Sequence, residues 1–327
     1  MLSAPTLVSF AVAVLLLLFL ATRFSIDVGA TWDNISRSNP LLLVLAVAVH
    51  YTTFFFRGAR WRLMLQNAGV AEQAPLPSQF TAARLMLLGW FASSITWFRL
   101  GDAYRAYAYA EESGAPLART MGTILGERVM DIIVIFVLLL AGFLLVYMDP
   151  DIHLSGVFLK VGLALVVAAL LGLVAMQVFW KRIGHILPAA IRNRYEAFHQ
   201  GTMRSFRAFP LVMLLGFLGW MSEVGRLYFV VQATGLDVGI GLVVFVTVAN
   251  AILSAVPLTP GGLGIVETGI IGLLALAASK EDAISIALLD RSISYVSIII
   301  MGIGAFAYHR RAVGRRERRG KEPAGAR

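Results

Sequence analysis

Pro257-Leu-Thr-Pro260-Gly261-Gly262-Leu-Gly264-Ile-Val-Glu267 interrupts an apolar stretch that begins near Gly241. The two prolines lack backbone donors and disfavour helix in the residue before each, and three glycines within four positions weaken it further, so the helix breaks here. A short apolar segment, a break and a second short apolar segment predict a re-entrant helical hairpin rather than a crossing. Irregular backbone at membrane depth is tolerated only where it is packed in protein or lines a wet cavity, so the break marks a place where function is expected. Residues 84–98 form a second segment of this kind, running into Arg99-Leu-Gly-Asp102-Ala-Tyr-Arg105.

The rest of the chain supplies the membrane context. Of 327 residues, 58% are hydrophobic and 14% charged, against about 25% charged in a soluble domain. Six apolar runs, at 7–21, 40–56, 124–148, 156–180, 210–232 and 283–308, are each read as one crossing. The expectation is a single all-α polytopic membrane domain over 1–327, with six transmembrane helices and two re-entrant helical hairpins. The first run has no basic residue before it and no A-x-A-like site after it, which favours a retained helix over a cleaved signal peptide.

The net charge of +9 is concentrated in the tail, residues 309–327, where eight basic side chains face two acidic ones. Basic excess beside a membrane helix reports orientation and anionic lipid, so nucleic acid is not an expected partner. Basic clusters follow the second run (Arg57, Arg60, Arg62), the fourth (Lys181 to Arg207) and the last, which places both termini in the cytoplasm. There is no cysteine, so thiolate metal sites, disulfides and Cys nucleophiles are excluded. The five histidines lack metal-ligand spacing, and no nucleotide-binding or hydrolase motif is present. Neither a metal nor a cofactor is expected.

The two interrupted segments look like copies. Leu100-Gly101 and Leu263-Gly264 each precede an acidic-basic pair by the same interval, Glu127-Arg128 and Asp290-Arg291, and Arg62-Leu63 weakly matches Arg226-Leu227. Repeat units of 40–148 and 210–308 are expected, joined by a linking helix at 156–180. An odd number of crossings between corresponding helices makes the units inverted, the pattern of alternating-access transporters.

Ionised groups inside a membrane cost on the order of 3 kcal/mol each on insertion scales, so those that persist face a partner or a cavity. Glu127 and Asp131 share a helix face, and Arg128 lies three residues from Asp131. Neighbours such as Glu127-Arg128 and Asp290-Arg291 do not face each other, so each arginine is expected to meet something else. Arg99, Asp102 and Arg105 surround a helix start with two guanidiniums and a carboxylate, a chemistry suited to phosphate. Gly261, Gly262 and Gly264 offer backbone amides at a helix N-terminus, where an anion can sit, and Glu267 either serves that site or offsets the helix dipole. Glu223 and Arg226 are expected to pair with each other. Trp90, Trp97, Trp180 and Trp220 are read as interface anchors, and Asp149-Pro-Asp151 as a turn, although D-x-D also occurs in metal-dependent sugar transfer.

Taken together, Arg57-Gly-Ala-Arg60-Trp-Arg62, Arg99-Leu-Gly-Asp102-Ala-Tyr-Arg105, Gly126-Glu127-Arg128-Val-Met-Asp131, the 257–267 segment and Asp290-Arg291-Ser-Ile-Ser294-Tyr295 resemble the lysylphosphatidylglycerol synthase transmembrane family, as in the membrane half of the multiple peptide resistance factor. The resemblance covers nearly the whole chain, without the aminoacyl-transferase domain of the two-part members. It implies a flippase of the bacterial or archaeal cell membrane with membrane lipids and their anionic headgroups as partners, and is compatible with a homo-oligomer. Arg105, Arg128 and Arg291 are expected to hold the headgroup, with Asp102, Glu127, Glu267 and Asp290 positioning it, taking protons or gating. The alternatives are a polyprenyl-phosphate-dependent glycosyltransferase and an accessory subunit of a lipid-modification pathway.

Overall fold

The structure is a computed structural model and describes residues 28–96, 100–148, 156–254 and 259–321. These residues form twelve α-helices and no strand. Helix α1 is Val28–Arg37, α2 Pro40–Asn67, α3 Gln79–Ile95, α4 Gly101–Ser113, α5 Leu117–Tyr147, α6 Val157–Ile186, α7 Ala189–Ser205 and α8 Phe209–Ala233. They are followed by α9 Ile240–Ser254, α10 Ile265–Leu274, α11 Lys280–Arg291 and α12 Ser297–Lys321. The last two are continuous through a π-helical turn, Ser292–Val296.

Among the described residues, five helices are long and apolar enough to cross a membrane: α2, α5, α6, α8 and the combined α11–α12. They coincide with five of the six runs read from the sequence. The first run, 7–21, lies outside the described residues. Helix starts follow local chemistry. The Asn39 side chain accepts from the amides of Leu41 and Leu42 ahead of Pro40 at the first turn of α2. Ser78 and Ser279 cap α3 and α11 in the same way.

The bundle is held by close helix contacts at small residues, as expected where lipid supplies no hydrophobic drive between helices. A Cβ on Gly58 of α2 would sit 2.8 Å from the backbone nitrogen of Ala83 on α3. One on Gly142 of α5 would come equally near Phe245 N of α9. Helices α2 and α8 pack along each other, and α9 is buried over most of its length beside α5. Helix α6 is the opposite case: only Gly162 and Gly184 are buried, so its apolar surface faces outward almost all round.

Both interrupted segments form pairs of short helices, α3 with α4 and α9 with α10. The second arm of the first pair departs from the apolar stretch expected, because α4 carries Asp102, Arg105, Glu111 and Glu112 among alanines and tyrosines. The basic segment after the fourth run also has more structure than its charge suggested. It holds α7, which lies on α5 where a Cβ on Gly122 or Gly201 would collide with the partner backbone.

Candidate functional site

The charged residues inside the spans do not stand alone. In the first half, the Arg60 guanidinium of α2 reaches α5, with Nη2 3.0 Å from Glu127 Oε1 and Nη1 2.8 Å from Asp131 Oδ1. Arg105 of α4 donates to the other oxygen of Glu127 at 2.9 Å. Arg128 turns the other way and grips Asp102 in the first turn of α4 through Nε and Nη2, at 2.8 and 2.9 Å. Adjacent residues on one helix thus bind different neighbours, as their angular separation requires.

The same wiring recurs in the second half. Arg226 of α8 donates to Asp290 of α11 at 2.8 Å, as Arg60 does to Glu127. Arg291 donates to Glu267 in the first turn of α10 at 2.6 Å, as Arg128 does to Asp102. In each half an arginine of the first long helix (α2, α8) holds an acid of the next long one (α5, α11), and the arginine beside that acid holds an acid in the first turn of a short helix (α4, α10). The weak match of Arg62 with Arg226 is therefore displaced: Arg60 occupies the equivalent place, while Arg62 donates to the Pro77 carbonyl.

Between these sets lies a cavity of about 370 Å³. Four arginines line it, Arg57, Arg128, Arg226 and Arg291, together with four acids, Asp102, Asp131, Glu223 and Asp290. Arg57 is set between two indoles, its guanidinium carbon 4.8 Å from the Trp220 ring and 5.6 Å from that of Trp90, an arrangement favoured by the negative ring faces. Gly219 of α8 makes room for it, since a Cβ there would lie 3.1 Å from Arg57 Cγ. The π-helical turn brings Ser294 and Tyr295 to the wall, and the Tyr295 hydroxyl donates to Ser94 O of α3 across the two halves. Such turns are frequent at functional sites. Asn250 Oδ1 on α9 is buried on this wall without a hydrogen-bond donor among the described residues.

Several sequence expectations change in this setting. Arg105 and Glu127 do not line the cavity; they are buried against each other, with Arg105 over the Trp61 ring. The amides of Gly262 and Gly264 are not open to an anion, because they already donate to Thr259 O and to Glu267. Gly261 contributes its carbonyl instead, accepting from Arg291 Nη2 at 3.0 Å. Glu267 both caps its own helix and binds Arg291. Glu223 and Arg226 do pair. Trp90 and Trp220 serve the cavity rather than an interface, and Trp180 stacks on His199. Arg57 and Arg60, taken as part of a basic cluster beyond the second span, are buried inside α2 and bound to α5, so they do not report orientation. Arg99, Trp97, Asp149 and Asp151 lie outside the described residues. Among the described residues, no cluster of three or more His, Asp or Glu is placed to hold a metal.

Arg57, Asn250 and the two tryptophans were missed as site residues. No signal in the sequence sets Arg57 apart, since a headgroup-facing arginine near the end of an apolar run looks the same. The family model for the lysylphosphatidylglycerol synthase transmembrane region matches residues 6–302. The chain belongs to that family. It is 30% identical over 220 residues to a UPF0104 membrane protein of Methanocaldococcus jannaschii, covering 65% of this chain and 91% of the relative. A UPF0104 membrane protein of Methanothermobacter thermautotrophicus is 24% identical over 310 residues, covering 86% and 89%. The glycosyltransferase AglD of Haloferax volcanii is 22% identical over 345 residues, with 92% of this chain matching 54% of that protein. The chain is thus a membrane protein similar to stand-alone archaeal relatives.

Proposed function

We propose that the chain is a flippase, moving a phosphate-bearing lipid headgroup between leaflets through the central cavity while the acyl chains stay in lipid. The observation that carries this reading is the pair of guanidiniums facing the cavity, Arg128 from one half and Arg291 from the other, each held by a carboxylate at a hairpin tip. A phosphate presents oxygens to an arginine fork much as a carboxylate does, so it can replace Asp102 or Glu267 without leaving either guanidinium unpaired. Arg128 and Asp102 are 39% and 35% exposed, open enough for that exchange. The recurrence of the wiring supports two inverted repeats, 40–148 and 210–308, meeting at re-entrant hairpins in a six-span layout. Basic residues around α7 and in the tail support cytoplasmic termini in an archaeal or bacterial cell membrane.

The second reading, a glycosyltransferase using a polyprenyl phosphate donor, is favoured by the name of the Haloferax relative. The two separate in one preparation. Purified protein in liposomes, given a polyprenyl-phosphate sugar, a lipid-linked oligosaccharide whose hydroxyls can accept the sugar and a divalent cation, is assayed for both sugar transfer and lipid translocation. Translocation without a transfer product supports the flippase; a transfer product lost in the Asp149→Ala/Asp151→Ala double variant overturns it.

A further inference from the structure

His50 is a fully buried histidine in the middle of α2, walled by Tyr51, Phe54 and Trp90. Of the other described histidines, His199 meets Gln177 and His309 meets Glu111 and Glu112. His50 meets the cavity network. Its Nδ1 lies 3.2 Å from Glu223 Oε1 and 3.3 Å from Arg226 Nη1, both on α8, while its Nε2 has no hydrogen-bond partner among the described residues. One nitrogen therefore faces an acceptor and a donor at once and can satisfy only one of them.

We propose that His50 is the coupling-proton site of this protein, exchanging its proton with the cavity through Glu223. This rests on the flippase reading for its use but not for its existence. Unprotonated Nδ1 accepts from Arg226. Protonated Nδ1 donates to Glu223 Oε1, an atom with no other donor among the described residues. His50 has no exposed surface, whereas Glu223 lines the cavity. The proton accordingly passes from cavity water to the Glu223 carboxylate and on to Nδ1, leaving the carboxylate as it was and the imidazole with one added positive charge.

The exchange reaches both halves of the molecule. Protonation ties α2 more firmly to Glu223 and removes one acceptor from Arg226, which also holds Asp290 of α11. The charged groups facing His50 are Glu223 and Arg226 from α8, with Asp290 behind Arg226; on its own helix Arg57 lies two turns on, and α3 presents Trp90. A change at one buried nitrogen is thereby felt on two cavity-lining side chains.

Two measurements test this. In proteoliposomes with phosphatidylglycerol carrying a dithionite-reducible acyl-chain fluorophore, a pH gradient of one unit should shift the steady-state leaflet distribution by up to about tenfold for one proton per lipid. His50→Gln should leave equilibration running but hold the distribution at parity. A gradient response unchanged in His50→Gln overturns the proposal. Nitrogen-15 NMR of histidine-labelled protein in lipid, with the His50 signal identified by its loss in His50→Gln, should show Nδ1 gaining a proton on acidification. A His50 signal constant from pH 5 to 8 overturns it too. If wild-type protein moves no lipid, the flippase reading with this lipid fails, and the NMR titration alone decides the proton site.

Discussion

Arg226 Nε meets Asp290 Oδ1 at 2.8 Å, joining the two long helices of the second half, and Arg60 bears the same relation to Glu127 in the first. A single acid–guanidinium pair within a bilayer has many uses. Here the same arrangement of charge occurs in both parts of the chain, each pair beside an arginine that binds an acid in the first turn of a short helix.

Energetic coupling should follow these contacts rather than the sequence match. Replacing one partner of a buried pair should cost about 3–5 kcal/mol, so Asp290→Asn and Glu127→Gln should each lower the thermal midpoint in detergent. Double-mutant cycles should give a coupling above about 0.5 kcal/mol for Arg60 with Glu127 and for Arg226 with Asp290. The cycle of Arg62 with Glu127 should show none, because Arg62 binds the Pro77 carbonyl.

Close approach of α2 to α3 predicts a sharp contrast between two glycines. Gly58→Ala places a methyl group against the backbone of Ala83 and should destabilise by about 1–3 kcal/mol. Gly172→Ala, within α6 and with nothing near its Cβ, should be neutral or stabilising by up to about 1 kcal/mol. Unfolding midpoints of the two variants in the same detergent check this.

At the end of α4, Glu112 accepts from Arg84 and contacts His309 at 2.6 Å, tying the C-terminal helix to the first hairpin. Burial raises its pKa, but the hydrogen bonds to His309 and Arg84 outweigh that and leave it below its ordinary value of 4.5. A depressed carboxylate contributes stability above its unfolded pKa and loses it as pH falls through the folded one. Wild type should therefore be more stable than Glu112→Gln at neutral pH, and the difference should shrink as the pH is lowered from about 4.5. A difference that grows on acidification would contradict this origin.

Much of this was legible in the sequence because membrane spans and helix breakers act locally. Runs of about 20 apolar residues can only be helices in lipid, and Pro257 to Gly264 can only interrupt one. Of the site, the charges could be found but not their partners. That Arg128 meets Asp102 while Glu127 meets Arg60 depends on which helices lie on either side of α5, a tertiary fact. Arg57 was misread because a basic residue near a span end has the same sequence signature whether it meets headgroups or a buried acid. The glycines at 262 and 264 were misread because their amides are satisfied by the loop's own Thr259 and by Glu267.

Orientation can be read directly, since the chain has no native cysteine. Single cysteines at Ser78, Ser155 and Gly320 should divide cleanly, with only Ser155→Cys reacting with an impermeant thiol reagent in intact cells. Labelling of Gly320→Cys from outside would reverse the topology, and an odd number of crossings would remove the inverted relation between the halves.

In the proposed route a phosphate headgroup passes along Arg128 and Arg291. Its most direct test is the initial translocation rate of phosphatidylglycerol, phosphatidylethanolamine and polyprenyl phosphate in liposomes containing wild-type protein, Arg128→Lys, Arg291→Lys or the alanine variants. Lysine keeps the charge but loses the planar fork, and losing one charge-assisted hydrogen bond of about 1.5 kcal/mol slows a step roughly tenfold. Wild type should move at least one of these lipids well above protein-free liposomes, with both lysine variants slowed by about that factor and both alanine variants slower still. Wild-type rates equal to those of protein-free liposomes for every lipid, or arginine variants that translocate as fast as wild type, would contradict it.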